Sequence, residues 1–253
     1  MISFTEADVL AWITPLLWPF IRALALFSAL PVLGTRTVPT RVRVALSALI
    51  VLAAQPTLPP MPQVPLDSAL AVMLVVQQVL IGVTLGFAVR VVFTAIEFAG
   101  EIIGLQMGLN FAAFFDPLSA STATTSSRFF GTTIAWLFIV INGHLLIVMA
   151  LVQSFASFPV GPEPFAFLRS TQPQTWGAEI FQTGLTIALP LVAMLLLVNL
   201  VLGVISRVAS QLNVFSIGFP ITLGVGLLGL MLTLPALQQP FTVALERMLS
   251  HFQ

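Results

Sequence analysis

Seven apolar segments, parted by proline-rich or hydroxyl-rich breaks, limit what this chain can fold into. They are Val9–Leu33, Val42–Ala54, Ala69–Val92, Phe98–Phe115, Phe129–Phe158, Ile180–Ser206 and Val214–Leu237. A helix that crosses a bilayer needs about 20 apolar residues. Four or five of the segments meet that length easily. Val42–Ala54 has only thirteen residues and reads as half of a hairpin buried against protein. Composition closes off the soluble alternative. The chain is 58% hydrophobic and 7% charged, against about 25% charged in a soluble domain. Eighteen charged side chains cannot cover a water-soluble fold of 253 residues. The expected fold class is therefore all-α, an integral membrane protein built from helical hairpins.

The same inventory excludes several functions. Formal net charge is zero, so no nucleic-acid partner is expected. Cysteine is absent, which removes disulfides, thiolate catalysis and Cys-ligated metals. Lysine is absent too, so Schiff-base chemistry is unavailable. His144 and His251 are far apart in sequence, a poor basis for a metal site. No GxSxG, HExxH or P-loop occurs. The reading is a non-enzyme without cofactor or metal. Met1–Asp8 carries Glu6 and Asp8 but no basic residue, so it reads as a capped helix start (Ser3 with Glu6) and not as a cleavable signal.

The breaks Gln55–Pro65 and Pro159–Pro173 are rich in proline and read as extended linkers. Ser119–Ser127 is almost entirely Ser, Thr and Ala. Arginine placement suggests an orientation. With Arg36, Arg41 and Arg43 in the cytoplasm, Arg90, Arg128 and Arg207 also fall inside, while Arg169 and Arg247 fall outside. Both termini are then extracytoplasmic, and the segment between Arg90 and Arg128 does not cross. Phe241–Phe252 places Phe241, Leu245, Met248, Leu249 and Phe252 on one helical face, an amphipathic helix for an interface or a partner.

Chemistry concentrates in Glu97–Pro117. Glu97, Glu101, Gln106 and Asn110 interrupt an apolar segment, and such groups are costly there unless they meet partners or line a watery path. Glu97 and Glu101 share a face, and two readings stay open: an ion path, or ion pairs at an interface. Gly100, Gly104 and Gly108 sit four apart, as do Gly82 and Gly86, a spacing that lets helix backbones approach closely. It serves ordinary helix packing or a tight ring around a pore. Phe111, Phe114 and Phe115, beside Met107 and Gly108 and before the helix-stopping Asp116-Pro117, read as a constriction or as core. Arg22 lies mid-segment and needs an anionic partner, with Glu97 or Glu101 as candidates, or backbone carbonyls. His144 reads as a proton relay or as a hydrogen-bonded packing residue.

Three stretches together resemble the FliR family, the R subunit of the flagellar and type III secretion export gate. The first runs from Phe20-Ile21-Arg22-Ala23 through Pro31-Val32-Leu33-Gly34 to Pro39-Thr40-Arg41-Val42-Arg43. The second is Glu97–Pro117, with Gly104–Leu109 at its centre and Phe115-Asp116-Pro117 at its end. The third is Leu212–Pro220. Asn142-Gly143-His144 and Ser154-Phe155 to Pro159-Val160-Gly161 also fit, whereas Leu145 stands where many members carry a second histidine. The resemblance covers essentially the whole chain and favours the flagellar branch. It implies an assembly with P and Q export-gate subunits and the B-type switch subunit in the bacterial inner membrane, within the flagellar basal body, with exported flagellar proteins as substrates. It further implies a P-like region over 1–165, a Q-like hairpin over 166–237 and a C-terminal helix over 238–253. A plug near 108–119, with Met107 beside it, would contain Gly108, Phe111, Phe114, Phe115, Asp116 and Pro117. A solute or ion transporter using Glu97, Glu101 and Arg22 is one alternative. A structural subunit that does not line the channel is another.

Overall fold

The computed structural model describes residues 6–35, 38–109, 124–208 and 214–253. Among them the chain is all-α, with no strand. Three helical stretches are long and apolar enough to cross a bilayer, Ala69–Gln106, Gly177–Val208 and Ile217–Phe252, and the chain is a membrane protein. The helices are α1 (Glu6–Ala29), α2 (Thr40–Ala54), α3 (Ala69–Gln106), α4 (Thr125–Val140), α5 (Gly143–Ser157), α6 (Ala166–Thr171), α7 (Gly177–Val208), α8 (Val214–Thr233) and α9 (Gln238–Leu249).

They form two compact units, each built from separate stretches of chain. One comprises 1–91, 142–176 and 245–253; the other comprises 92–141 and 177–244. The division expected near residue 165 concerns kinship with other subunits, a property distinct from packing.

In the first unit α1 pairs with α2, and the start of α3 packs on α1. The proline-rich stretch after α2 is no loose linker. The Trp18 indole N–H donates to the Pro62 carbonyl at 3.1 Å, and Val64 is buried with Trp18, Ala71 and Leu74. Ser68 caps α3 by accepting from the Ala71 N–H at 3.1 Å, which satisfies one orphan donor of the first turn. The second expected linker holds α6, whose Phe167 and Thr171 are buried.

In the second unit α4 buries Ser126, Phe130, Ile134 and Phe138, one face at a strict spacing of four. α7 and α8 pair as a hairpin, with Gly229 set against Leu191 and Met194.

Two expected boundaries move. The segment Ala69–Val92 and the part of Phe98–Phe115 up to Gln106 join in the single helix α3. Arg90 and Glu97 lower the local hydropathy, but no proline interrupts the backbone ladder, so charge alone does not end the helix. Arg90 is therefore an exposed mid-helix residue, not part of a loop. At 1.5 Å per residue α3 is about 57 Å long, nearly twice the bilayer core of about 30 Å. Conversely, Phe129–Phe158 divides into α4 and α5 at Asn142, whose φ is 57°. That left-handed conformation ends a helix, and asparagine adopts it more readily than other non-glycine residues.

The expected amphipathic face near the C-terminus is covered by the chain itself. Phe241, Leu245, Met248, Leu249 and Phe252 are all buried. Phe241 meets Phe93 edge-on at 5.8 Å in the second unit; Phe252 meets Phe158 and Trp176 at 6.2 and 6.1 Å in the first.

Candidate functional site

Arg22 is fully buried in the first unit, yet no carboxylate among the described residues balances it. Its Nε donates to Gln78 Oε1 at 2.7 Å. Nη1 donates to the Ser154 carbonyl at 2.8 Å and to Ser154 Oγ at 2.9 Å. Nη2 donates to the Phe158 carbonyl at 2.8 Å. Ser154 and Phe158 lie at the C-terminal end of α5, where the helix dipole is negative; the Ser154 carbonyl also accepts the Phe158 N–H at 2.9 Å. The guanidinium thus caps another helix, and its face lies 3.8 Å from the centre of the Phe155 ring, a cation–π contact.

The network continues. Gln78 Nε2 donates to Gln77 Oε1 at 2.8 Å. Gln77 Oε1 also accepts the Gly161 N–H at 3.0 Å, while its Nε2 donates to the Pro159 carbonyl at 3.3 Å. One buried polar chain therefore joins α1, α3, the end of α5 and the loop at 158–161. Gly82 makes the approach possible. A Cβ there would strike the Arg22 carbonyl and come within 2.8 Å of Ala25 Cβ. One at Gly86 would meet Ala29 Cβ at 2.6 Å.

Of the two partner classes expected for Arg22, the carbonyls serve, not Glu97 or Glu101. Gln77, Gln78 and Ser154 were missed, although the rule that singles out Arg22 applies to them: each is a polar residue inside an apolar segment.

In the second unit the far end of α3 packs on α4. Glu97 is half-buried, with its Oε1 2.9 Å from where a Gly131 Cβ would stand. A Cβ on Gly100 would meet the Phe130 ring at 2.5 Å, and one on Gly104 would meet Ser126 Cβ at 2.6 Å. Ser126 Oγ donates to the Gly100 carbonyl at 2.6 Å. This glycine face is occupied within the chain. Met107 is fully buried, its side chain against Gly226 of α8. α3 then ends at Gly108, whose φ of 78° is the left-handed conformation of a helix-terminating glycine; its N–H donates to the Leu105 carbonyl at 3.1 Å.

Two residues expected to be buried are exposed: Glu101, and His144 at the first turn of α5. Both lie on the outer side of their helices. Asn110, Phe111, Phe114, Phe115, Asp116 and Pro117 lie outside the described residues. No group of three or more His, Asp or Glu among the described residues has the arrangement of a metal site.

Residues 13–248 match the family described as bacterial export proteins, family 1. The chain belongs to the FliR family. It is 45% identical over 244 residues to the flagellar biosynthetic protein FliR of Escherichia coli K12, covering 95% of this chain and 92% of the relative. The FliR of Pectobacterium carotovorum is 43% identical over 238 residues, 93% and 90% of the two lengths. The FliR of Bacillus subtilis is 28% identical over 240 residues, 90% and 91%. Arg22, Ser154, Phe158 and Gly161 of the network fall in two of the stretches that carry the resemblance, Phe20–Ala23 and Ser154–Gly161; Gln77 and Gln78 do not.

Proposed function

We propose that this chain is a subunit of the flagellar export apparatus in the bacterial inner membrane, within the basal body. There it joins P and Q subunits, and the B-type switch subunit, around the entrance of a protein-export channel. Flagellar proteins are the cargo, and the role is not catalytic. The observation that carries the reading is end-to-end similarity to proteins named for flagellar biosynthesis, over at least 90% of both lengths in the two nearest the chain in identity above.

Physical features support an obligate assembly. α3 exceeds the bilayer core by about 27 Å, so without strong tilt it needs protein around part of its length. α7 and α8 leave Leu197, Leu200, Leu228, Met231 and Leu232 more than half exposed, a surface that lipid or partner subunits must cover. Supporting the plug, α3 ends at Gly108 directly before the stretch that holds Phe111, Phe114 and Phe115. Clustered aromatic side chains close a pore by excluding water.

A solute transporter has less support, because the donors of Arg22 are spent on neutral acceptors and Glu101 points outward. The test is conductance. In the intact assembly, Phe114→Gly with Phe115→Gly is expected to raise ion leak through the resting membrane. An unchanged conductance in a correctly assembled complex removes the plug and leaves the non-lining structural subunit as the reading.

A further inference from the structure

Between α1 and α2 lies an apolar groove of about 330 Å³. Ile13, Leu16 and Phe20 of α1 and Ala48, Val51 and Leu52 of α2 line it. Ile13 and Leu52 are 42% and 54% exposed, so the groove opens to its surroundings. In a membrane protein such a slot is filled by lipid tails or by another chain's apolar side chains, because water gains nothing there.

A charge decides between the two. At 100° per residue Arg41 falls on the same stripe of α2 as Ala48, Val51 and Leu52. It stands about 10 Å along the axis from Ala48 and about 17 Å from Leu52. Val44, 43% exposed, continues the apolar surface between them. Arg41 is exposed and makes no hydrogen bond or ion pair with any described residue. Arg43, on the opposite face, is turned to the loop before α2: its Nη2 donates to the Thr35 and Val38 carbonyls at 3.0 Å each, while its buried Nε has no hydrogen-bond partner among the described residues. The groove therefore leads from an apolar slot to Arg41, a cation without a partner among the described residues, within the reach of an acyl chain. An apolar helix laid in the slot leaves that cation unpaired, whereas an anionic headgroup satisfies it. Basic residues beside grooves between membrane helices recognise such headgroups.

We propose that the α1–α2 groove binds an anionic phospholipid, with one acyl chain between the helices and the phosphate at Arg41. The site is independent of the export reading.

Native mass spectrometry of the full chain, released from bilayers holding equal phosphatidylglycerol and phosphatidylethanolamine, tests it. The expected result is a retained lipid, phosphatidylglycerol favoured about fivefold by one arginine near the surface. Arg41→Gln is expected to abolish that preference while lipid is still retained. Ala48→Phe, which fills the slot, is expected to lose both lipids. Equal retention by the unmodified chain, or a preference that survives Arg41→Gln, overturns the proposal. Should Ala48→Phe fail to fold, the surface variant Arg41→Gln still decides. A photo-crosslinker at Leu52 in the native membrane should capture phospholipid; capture of a protein chain instead overturns the site.

Discussion

A single guanidinium, that of Arg22, ties three parts of the first unit together. Burying a cation is costly unless every donor is matched, and four donated hydrogen bonds with a ring face meet most of that demand. Lysine has the charge but not the fork, so it cannot reach Gln78 and the end of α5 together. Arg22→Lys is expected to lower the midpoint of thermal unfolding in detergent. Arg22→Ala is expected to cost on the order of 3–5 kcal/mol, since several buried acceptors lose their donor at about 1–3 kcal/mol each. Ser154→Ala, which removes one acceptor and keeps the carbonyl, should fall well short of either. Equal stability of all three variants contradicts the network. Arg22 itself is legible in the sequence because a charge inside an apolar segment announces itself. Its partners are not, because two of the four acceptors are main-chain carbonyls, and no residue type marks which helix end will meet a side chain 132 positions away.

At the scale of elements, glycine spacing divides into two physical cases. Gly82 sits where α3 touches the α1 backbone, while Gly203 in α7 has no neighbouring atom among the described residues within 4 Å of the position a Cβ would take. Gly82→Ala is expected to destabilise the chain by about 1–3 kcal/mol through overpacking. Gly203→Ala is expected to stabilise the isolated chain by up to about 1 kcal/mol, because glycine is the poorer helix former. Thermal unfolding of the two variants side by side checks both signs. If Gly203→Ala stabilises the chain yet impairs recovery of the complex, its face is a subunit contact. The helices themselves were legible from apolar length, and the face of α9 from its period. The continuity of α3 was not, because hydropathy dips at Arg90 and Glu97 without any backbone reason to stop. The break at Asn142 was legible in part, because Asn142-Gly143 is a turn signal, but apolar residues on both sides let the two helices read as one segment. The burial of the α9 face inside the chain was also invisible, since an amphipathic pattern does not say what covers it.

At the scale of the whole molecule, the features combine into a chain that does not satisfy itself. The first unit is closed by the Arg22 network and by the docked proline-rich stretch. The α7–α8 hairpin instead presents long apolar side chains outward, and α3 is too long for the bilayer alone. Those features agree with the proposed role as an obligate subunit. The most direct test is the mass of the complex isolated when this chain is co-expressed with the proposed P and Q subunits. The account predicts a defined hetero-oligomer that retains one copy of this chain. Recovery of the chain alone, or as a homo-oligomer while P and Q assemble without it, would contradict it.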